Sequence, residues 1–121
     1  MGQLVAAQTA FLLDACKLIA RATELGFAVT VGEAFRTVEQ QQIYVKTGRS
    51  KTMDSQHLKR LAIDLNFFRD GKLVQTREEL KPLGDWWEAL NPKNRWGGNW
   101  RGLVDQGKSH FVDCPHFERQ V

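Results

Sequence analysis

Between Leu61 and Phe68 the chain alternates with period two: Leu61, Ile63, Leu65 and Phe67 fall on one side, Ala62, Asp64 and Asn66 on the other. Successive strand residues point to opposite faces, so this stretch reads as a strand with one face against a core. Arg69-Asp70-Gly71-Lys72 supplies a hairpin turn, and Leu73-Val74 begins a return strand. An apolar sheet face needs a cover, and the rest of the chain offers helices. Leu4, Ala7, Phe11, Ala15, Leu18 and Ala22 recur at helical spacing, widened by Leu12 and Ile19, and Gly26 follows as a left-handed cap. Thr37 caps a second helix that runs through Gln40, Ile43 and Tyr44 to Lys46 and closes at Gly48. Thr76 with Glu79 forms a capping box for a third, ending near Leu90. The short β-branched stretch Phe27 to Val31 reads as a buried strand, Asn91 to Asn94 as a turn, and Phe111 to Glu118 as a last strand broken at Pro115. A length of 121 residues supports one hydrophobic core and not two. The expectation is a single α+β domain over residues 1–121, a small antiparallel sheet flanked by about three helices.

Composition narrows the function classes. With 42% apolar and 26% charged residues the chain reads as globular. Its net charge is +3, but Lys and Arg are dispersed, which predicts a solvated surface and no nucleic-acid partner. Met1-Gly2-Gln3-Leu4-Val5 carries no positive leader before an apolar stretch, so no signal peptide is expected. No apolar run approaches the roughly 20 residues that cross a bilayer, and membrane insertion is not expected either. Two cysteines make no disulfide framework. Cys16 reads as a small buried residue of the first helix.

The chemistry gathers around Asp64, which lies on the polar face of the central strand beside small Ala62. His57 lies seven residues earlier, on the wrong parity for one continuous strand, so the chain must turn between them. The polar loop from Arg49 to Gln56 allows that turn. His116 near the C-terminus is a third candidate ligand. Two imidazoles and a carboxylate leave the fourth position of a tetrahedral zinc open to water, the pattern of a catalytic site. Asp113, three residues before His116 and held by the turn through Pro115, is a spare carboxylate suited to move a proton. Taken singly, each has a plain reading: a loop histidine, a solvated strand carboxylate, a histidine packed on Phe117. Cys114 and His110 are further donors nearby, and Glu118 shares strand parity with His116 as a reserve base.

Ser55-x-His57-x6-Asp64 followed by Asp113-x-x-His116-Phe117 resembles the zinc-dependent peptidoglycan peptidases. That group includes D-Ala-D-Ala carboxypeptidases, dipeptidases and phage L-alanyl-D-glutamate endopeptidases. The likeness extends over Phe35-Arg36-Thr37 with Gln40 and Ile43-Tyr44, then Gly48-Arg49-Ser50 and Trp96-Gly97-Gly98-Asn99-Trp100, from about Val29 to Glu118. Leu61 stands where many members have glycine, which fits the phage type better than the carboxypeptidases. The resemblance implies a hedgehog/D-Ala-D-Ala-peptidase-like fold, zinc (Zn2+) on His57, Asp64 and His116, and Asp113 as general base. It further implies that Arg36 faces the scissile peptide as oxyanion or carboxylate partner, with Ser55 and Gln40 lining the cleft.

The leading expectation is therefore an L-alanyl-D-glutamate endopeptidase acting as a phage or prophage endolysin. It would be a monomer without a separate wall-binding domain, made in the cytoplasm and reaching the wall through a membrane lesion. A D-Ala-D-Ala carboxypeptidase and a non-catalytic zinc-containing binding module are the alternatives. Asp113 discriminates against the binding module, because a purely structural site has no use for a base.

Overall fold

The computed structural model describes residues 1–102, 104–107 and 112–121. Among these residues, three helices, α1 (Gln3–Glu24), α2 (Val38–Lys46) and α3 (Arg77–Leu90), accompany five strands. These are β1 (Ala28–Val31), β2 (Ala62–Arg69), β3 (Lys72–Val74), β4 (Asn94–Trp96) and β5 (His116–Arg119). The strands form one antiparallel sheet in the order β1-β2-β5-β4, and β3 pairs with β2 beyond the end of β5. β2 is the axle: it meets β1 along one edge and both β5 and β3 along the other.

The alternation in β2 does what its pattern requires. Ile63, Leu65 and Phe67 are buried, while Asp64 and Asn66 stay half-open on the opposite face. Asp70 and Gly71 both take positive φ in the β2–β3 hairpin, as a tight two-residue turn demands. Thr37 accepts the N–H of Gln40, and Thr76 accepts that of Glu79 while its hydroxyl donates to the Glu79 carboxylate at 2.8 Å.

The core is a relay of edge-to-face aromatic rings under the sheet. Phe11 meets Trp87 at 5.7 Å, Trp87 meets Phe117 at 5.9 Å, Phe117 meets Phe67 at 5.9 Å, and Phe67 meets Phe27 at 5.8 Å. Burying each such ring contributes about 1.5–3 kcal/mol, and the pairings add about 0.5–1.5 each. Trp96, also fully buried, lies so close to α3 that a Cβ at Gly84 would sit 2.1 Å from its ring. Any side chain at position 84 would push Trp96, and the site segment after it, out of place.

A buried polar network ties α1 to the sheet. Asp14 accepts from Arg119 of β5 and, at 3.2 Å, from Asn94 of β4, while Arg119 Nε donates to Asn94 Oδ1 at 2.9 Å.

Four expectations need correction. β1 is exposed on most positions instead of buried, because it is the edge strand: Phe27 before it enters the core and Val29 packs against it half-buried. Cys16 is exposed: the buried stripe of α1 centres on Phe11, Ala15, Leu18 and Ala22, which leaves Leu4, Leu12 and Cys16 on the outer side. By length and composition α1 is apolar enough to cross a membrane, although its inner face is committed to α3, β1 and β5. The segment after Asn91 includes a short strand, β4, and the final strand starts at His116; Phe111 lies outside the described residues.

Candidate metal centre

Asp64 is fixed from its backbone outward. Its N–H donates to the Glu33 carbonyl and its own carbonyl accepts from Gly32 N–H, both at 2.7 Å. On the other edge its register partner is His116, which faces it directly across β2 and β5. His116 presents Nδ1 to Asp64 Oδ1 at 3.2 Å, while its Nε2 pairs with Glu118 Oε1 at 2.7 Å on the same face of β5. Phe117, between them in sequence, points the opposite way into the core.

His57 arrives from the turn that its parity required. Residues Gln56–Lys59 form a single 3-10 turn capped by Ser55, whose Oγ accepts the His57 N–H at 3.3 Å. Arg60, in the left-handed conformation with φ 58°, reverses the chain into β2. The ring Nδ1 lies 2.7 Å from the Ala34 carbonyl. A carbonyl only accepts, so Nδ1 carries a proton there and Nε2 is the nitrogen turned towards the cluster. That Nε2 lies 3.3 Å from Asp64 Oδ1.

One oxygen and two ring nitrogens therefore aim at a common point, all within 4.8 Å of one another. A tetrahedral ion with bonds of about 2.0–2.1 Å separates its ligand atoms by roughly 3.3 Å, and two of these separations match that edge. Each imidazole also has the outer partner that a ligand histidine needs to fix its orientation: a carbonyl for His57 and a carboxylate for His116. His57, Asp64 and His116 thus form a cluster able to hold a metal ion.

The electrostatics agree with that geometry. Burial alone would push the Asp64 carboxyl upward, but its hydrogen bonds to His116 and His57, and their charges, hold it well below the usual carboxylate range. Burial opposes a charge on His116, yet Asp64 and Glu118 outweigh it and raise its pKa to about 9.

Asp113 sits at the rim. Its N–H donates to the Gly97 carbonyl at 2.8 Å and its carbonyl accepts from His116 N–H at 3.1 Å, closing the turn through Cys114 and Pro115. Gly97 is required here, since a Cβ would fall 2.1 Å from the Asp113 carbonyl oxygen. The residue is open to solvent on one side, yet the surroundings of its carboxyl raise its pKa. Desolvation leads that shift, His116, His57 and Arg36 oppose it, and Asp64 adds to it.

Arg36 and Ser55 meet: Arg36 Nη1 donates to Ser55 Oγ at 3.3 Å and to Gln41 Oε1 at 2.7 Å. Gln40 uses its backbone N–H on the Thr37 cap, and its side chain makes no hydrogen bond among the described residues. Gln41, one position on, is the fully buried amide that reaches Arg36, Ser50 and the Thr52 carbonyl. The sequence signal was there: Gln41 and Tyr44, three apart on α2, share the helix face that turns inward. Glu118, held as a reserve base, is buried behind His116. Cys114 stands outside the ligand cluster; its carbonyl accepts from Trp96 Nε1 at 2.9 Å. His110 lies outside the described residues. Trp100, whose place beside the site no spacing announced, puts its ring 5.0 Å from that of His116.

Comparison with known proteins gives this arrangement a family. The family model described as phage L-alanyl-D-glutamate peptidase matches residues 9–119. The L-alanyl-D-glutamate peptidase of Listeria phage A118 is 34% identical over 104 residues, covering 84% of this chain and 34% of that protein. The chain therefore spans about a third of the length of that curated relative. In fold it is similar to the L-Ala D-Glu endopeptidase ChiX of Serratia marcescens, with a TM-score of 0.63 and 23% identity over 85% of this chain and 75% of that one. Three converging donor groups able to hold a metal ion, a separate carboxylate nearby and a match along nearly the whole chain lead to one statement: this protein belongs to the phage L-alanyl-D-glutamate peptidase family.

Proposed function

We propose that the chain is a zinc-dependent endopeptidase that hydrolyses the L-alanyl-D-glutamate bond of peptidoglycan stem peptides, as an endolysin released onto the cell wall. The observation that carries the reading is the convergence of His57 Nε2, Asp64 Oδ1 and His116 Nδ1 beside a fourth, unligated carboxylate, Asp113. Family membership supports the choice of that bond. Zinc suits two imidazoles and one carboxylate, and when held there it would polarise the scissile carbonyl and bring the pKa of a water to about 7.

The chain's own groups do the rest. Asp113 takes the proton of the attacking water and returns it to the leaving amine, a task suited to a carboxyl whose pKa is raised above the ordinary aspartate value. Arg36 offers a guanidinium to the developing oxyanion or to a substrate carboxylate. Ser55 and Gln40 stand on the cleft side in this reading, with Gln41 holding Arg36 and the 50–52 loop from behind.

Two variants test the assignment. Asp113→Asn should keep one zinc per chain and lose about 10²- to 10⁴-fold in hydrolysis, the usual weight of a positioned base. His57→Ala should lose the zinc itself. Full turnover in the first, or unchanged zinc in the second, would remove that residue from its role.

A further inference from the structure

Arg36 is held by a third group that the reading above does not use. Glu33 Oε1 bridges Arg36 Nε, at 2.6 Å, and Nη2, while Glu33 Oε2 accepts the Tyr44 hydroxyl at 3.1 Å. Tyr44 is the single tyrosine of the chain. Its ring is flanked by two guanidiniums, Arg36 at 4.7 Å and Arg49 at 4.6 Å. Arg36 has five N–H donors. Among the described residues, Nε and one Nη2 hydrogen serve Glu33, both Nη1 hydrogens serve Gln41 and Ser55, and one Nη2 hydrogen remains.

Glu33 is also joined to the metal cluster through its backbone, since its carbonyl receives the Asp64 N–H at 2.7 Å. The next carbonyl, that of Ala34, orients His57, and the Arg36 N–H donates to the His57 carbonyl at 3.2 Å. Residues 33 to 36 are thus one short brace, outside any helix, that sets a ligand strand, a ligand imidazole and a guanidinium in a common frame. The Glu33–Arg36 pair is not a helix-surface contact. Only 12% of the Arg36 side chain is accessible.

We propose that Glu33 is a positioning residue for hydrolysis: it holds the Arg36 guanidinium so that the remaining Nη2 N–H is the donor offered to substrate. The claim rests on the reading that Arg36 faces the substrate. Two forces would displace Arg36 without it. Arg49, whose guanidinium also lies over the Tyr44 ring, repels it, and the carboxylate of Asp113 attracts it. A guanidinium drawn onto Asp113 would withdraw the donor from substrate. Glu33 counters both by accepting two guanidinium N–H groups, from Nε and Nη2, on Oε1. Tyr44 limits the swing of Glu33 in turn.

The test is a double-mutant cycle on the zinc-loaded protein, reading kcat, KM, zinc per chain and the thermal midpoint. Glu33→Gln should cut kcat/KM by about ten- to a hundredfold, with zinc stoichiometry unchanged. In an Arg36→Ala background the same substitution should change activity less than about twofold, because Glu33 acts only through Arg36. Tyr44→Phe, which keeps the ring between the two guanidiniums and removes one hydroxyl, should lose a few-fold in the same direction, and it decides the matter should Glu33→Gln fold poorly. Full activity in the folded Glu33 variant, or an equal loss in both backgrounds, overturns the role of Glu33. Full activity in Arg36→Ala with zinc in place overturns the reading of Arg36 itself, and that failure is seen before Glu33 is touched.

Discussion

Replacing Glu118 by Gln separates two roles that a carboxylate beside a metal centre can take. The side chain is 11% accessible and its Oε1 lies 2.7 Å from His116 Nε2, whose ring is itself buried. Gln preserves an acceptor oxygen in nearly the same volume but removes the charge. A hydrogen bond to a charged group contributes about 1.5–3 kcal/mol net, and a neutral one about 0.5–1.5, so the change costs roughly 1–1.5 kcal/mol. If Glu118 serves His116, that loss appears as weaker zinc binding, about tenfold, because 1.4 kcal/mol is tenfold in affinity. Glu118→Ala, which leaves the buried Nε2–H without a partner, should approach about a hundredfold. The assay is competition for zinc against a chromophoric chelator, paired with kcat at saturating zinc. For both variants excess zinc should restore kcat to within a few-fold of wild type. A kcat that stays collapsed at saturating zinc, with affinity unchanged, would refute this reasoning and make Glu118 the base in place of Asp113.

Two further substitutions examine the frame. Asp14→Ala leaves the Arg119 guanidinium buried beside Asn94 without its carboxylate, which should cost about 3–5 kcal/mol. At about 2.1 cal/mol/K per residue, that lowers the thermal midpoint by roughly 12–20 °C; a fall of only a degree or two would mean α1 is not anchored there. Glu88 accepts the Trp96 N–H at 3.2 Å, but burial leads and raises its pKa above the ordinary glutamate value. A carboxyl with a raised folded pKa contributes stability that is full below about pH 4.5 and fades as pH climbs through the folded value. Glu88→Gln should therefore gain in midpoint over wild type as pH goes from 4 to 7 by calorimetry, and a difference flat with pH would contradict it.

The sequence made some elements legible because their information is local. The period-two run of β2, the Asp70-Gly71 turn, and the Thr37 and Thr76 caps each involve residues within a few positions of one another. Parity was informative even where it conflicted: His57 and Asp64 could share a site only if the chain turned, and the 3-10 turn with left-handed Arg60 is that turn. What stayed hidden depends on packing between distant segments. β4 is three residues long, too short for any period, and exists because Trp96 lies over Gly84 and pairs with Phe117. The exposure of β1 follows from its edge position, which topology decides. Cys16 is outside because the turn of α1 is set by the Asp14–Arg119 anchor and by Phe11 against Trp87. In the site, Glu33 gave no motif, since its place depends on contacts with Arg36 and Tyr44, and Gln41 was marked only by sharing a helix face with Tyr44. Glu118 was visible as sharing the His116 face, but only the 2.7 Å contact shows it behind the ring instead of beside the cleft.

The most direct test of the central claim is mass spectrometry of purified peptidoglycan after digestion by the zinc-loaded chain, with Asp113→Asn as control. The account predicts stem peptides with a new amino-terminal D-glutamyl residue, absent from the control digest. Release of free D-alanine would contradict it in favour of a carboxypeptidase, and an unchanged wall digest would contradict it in favour of a binding module.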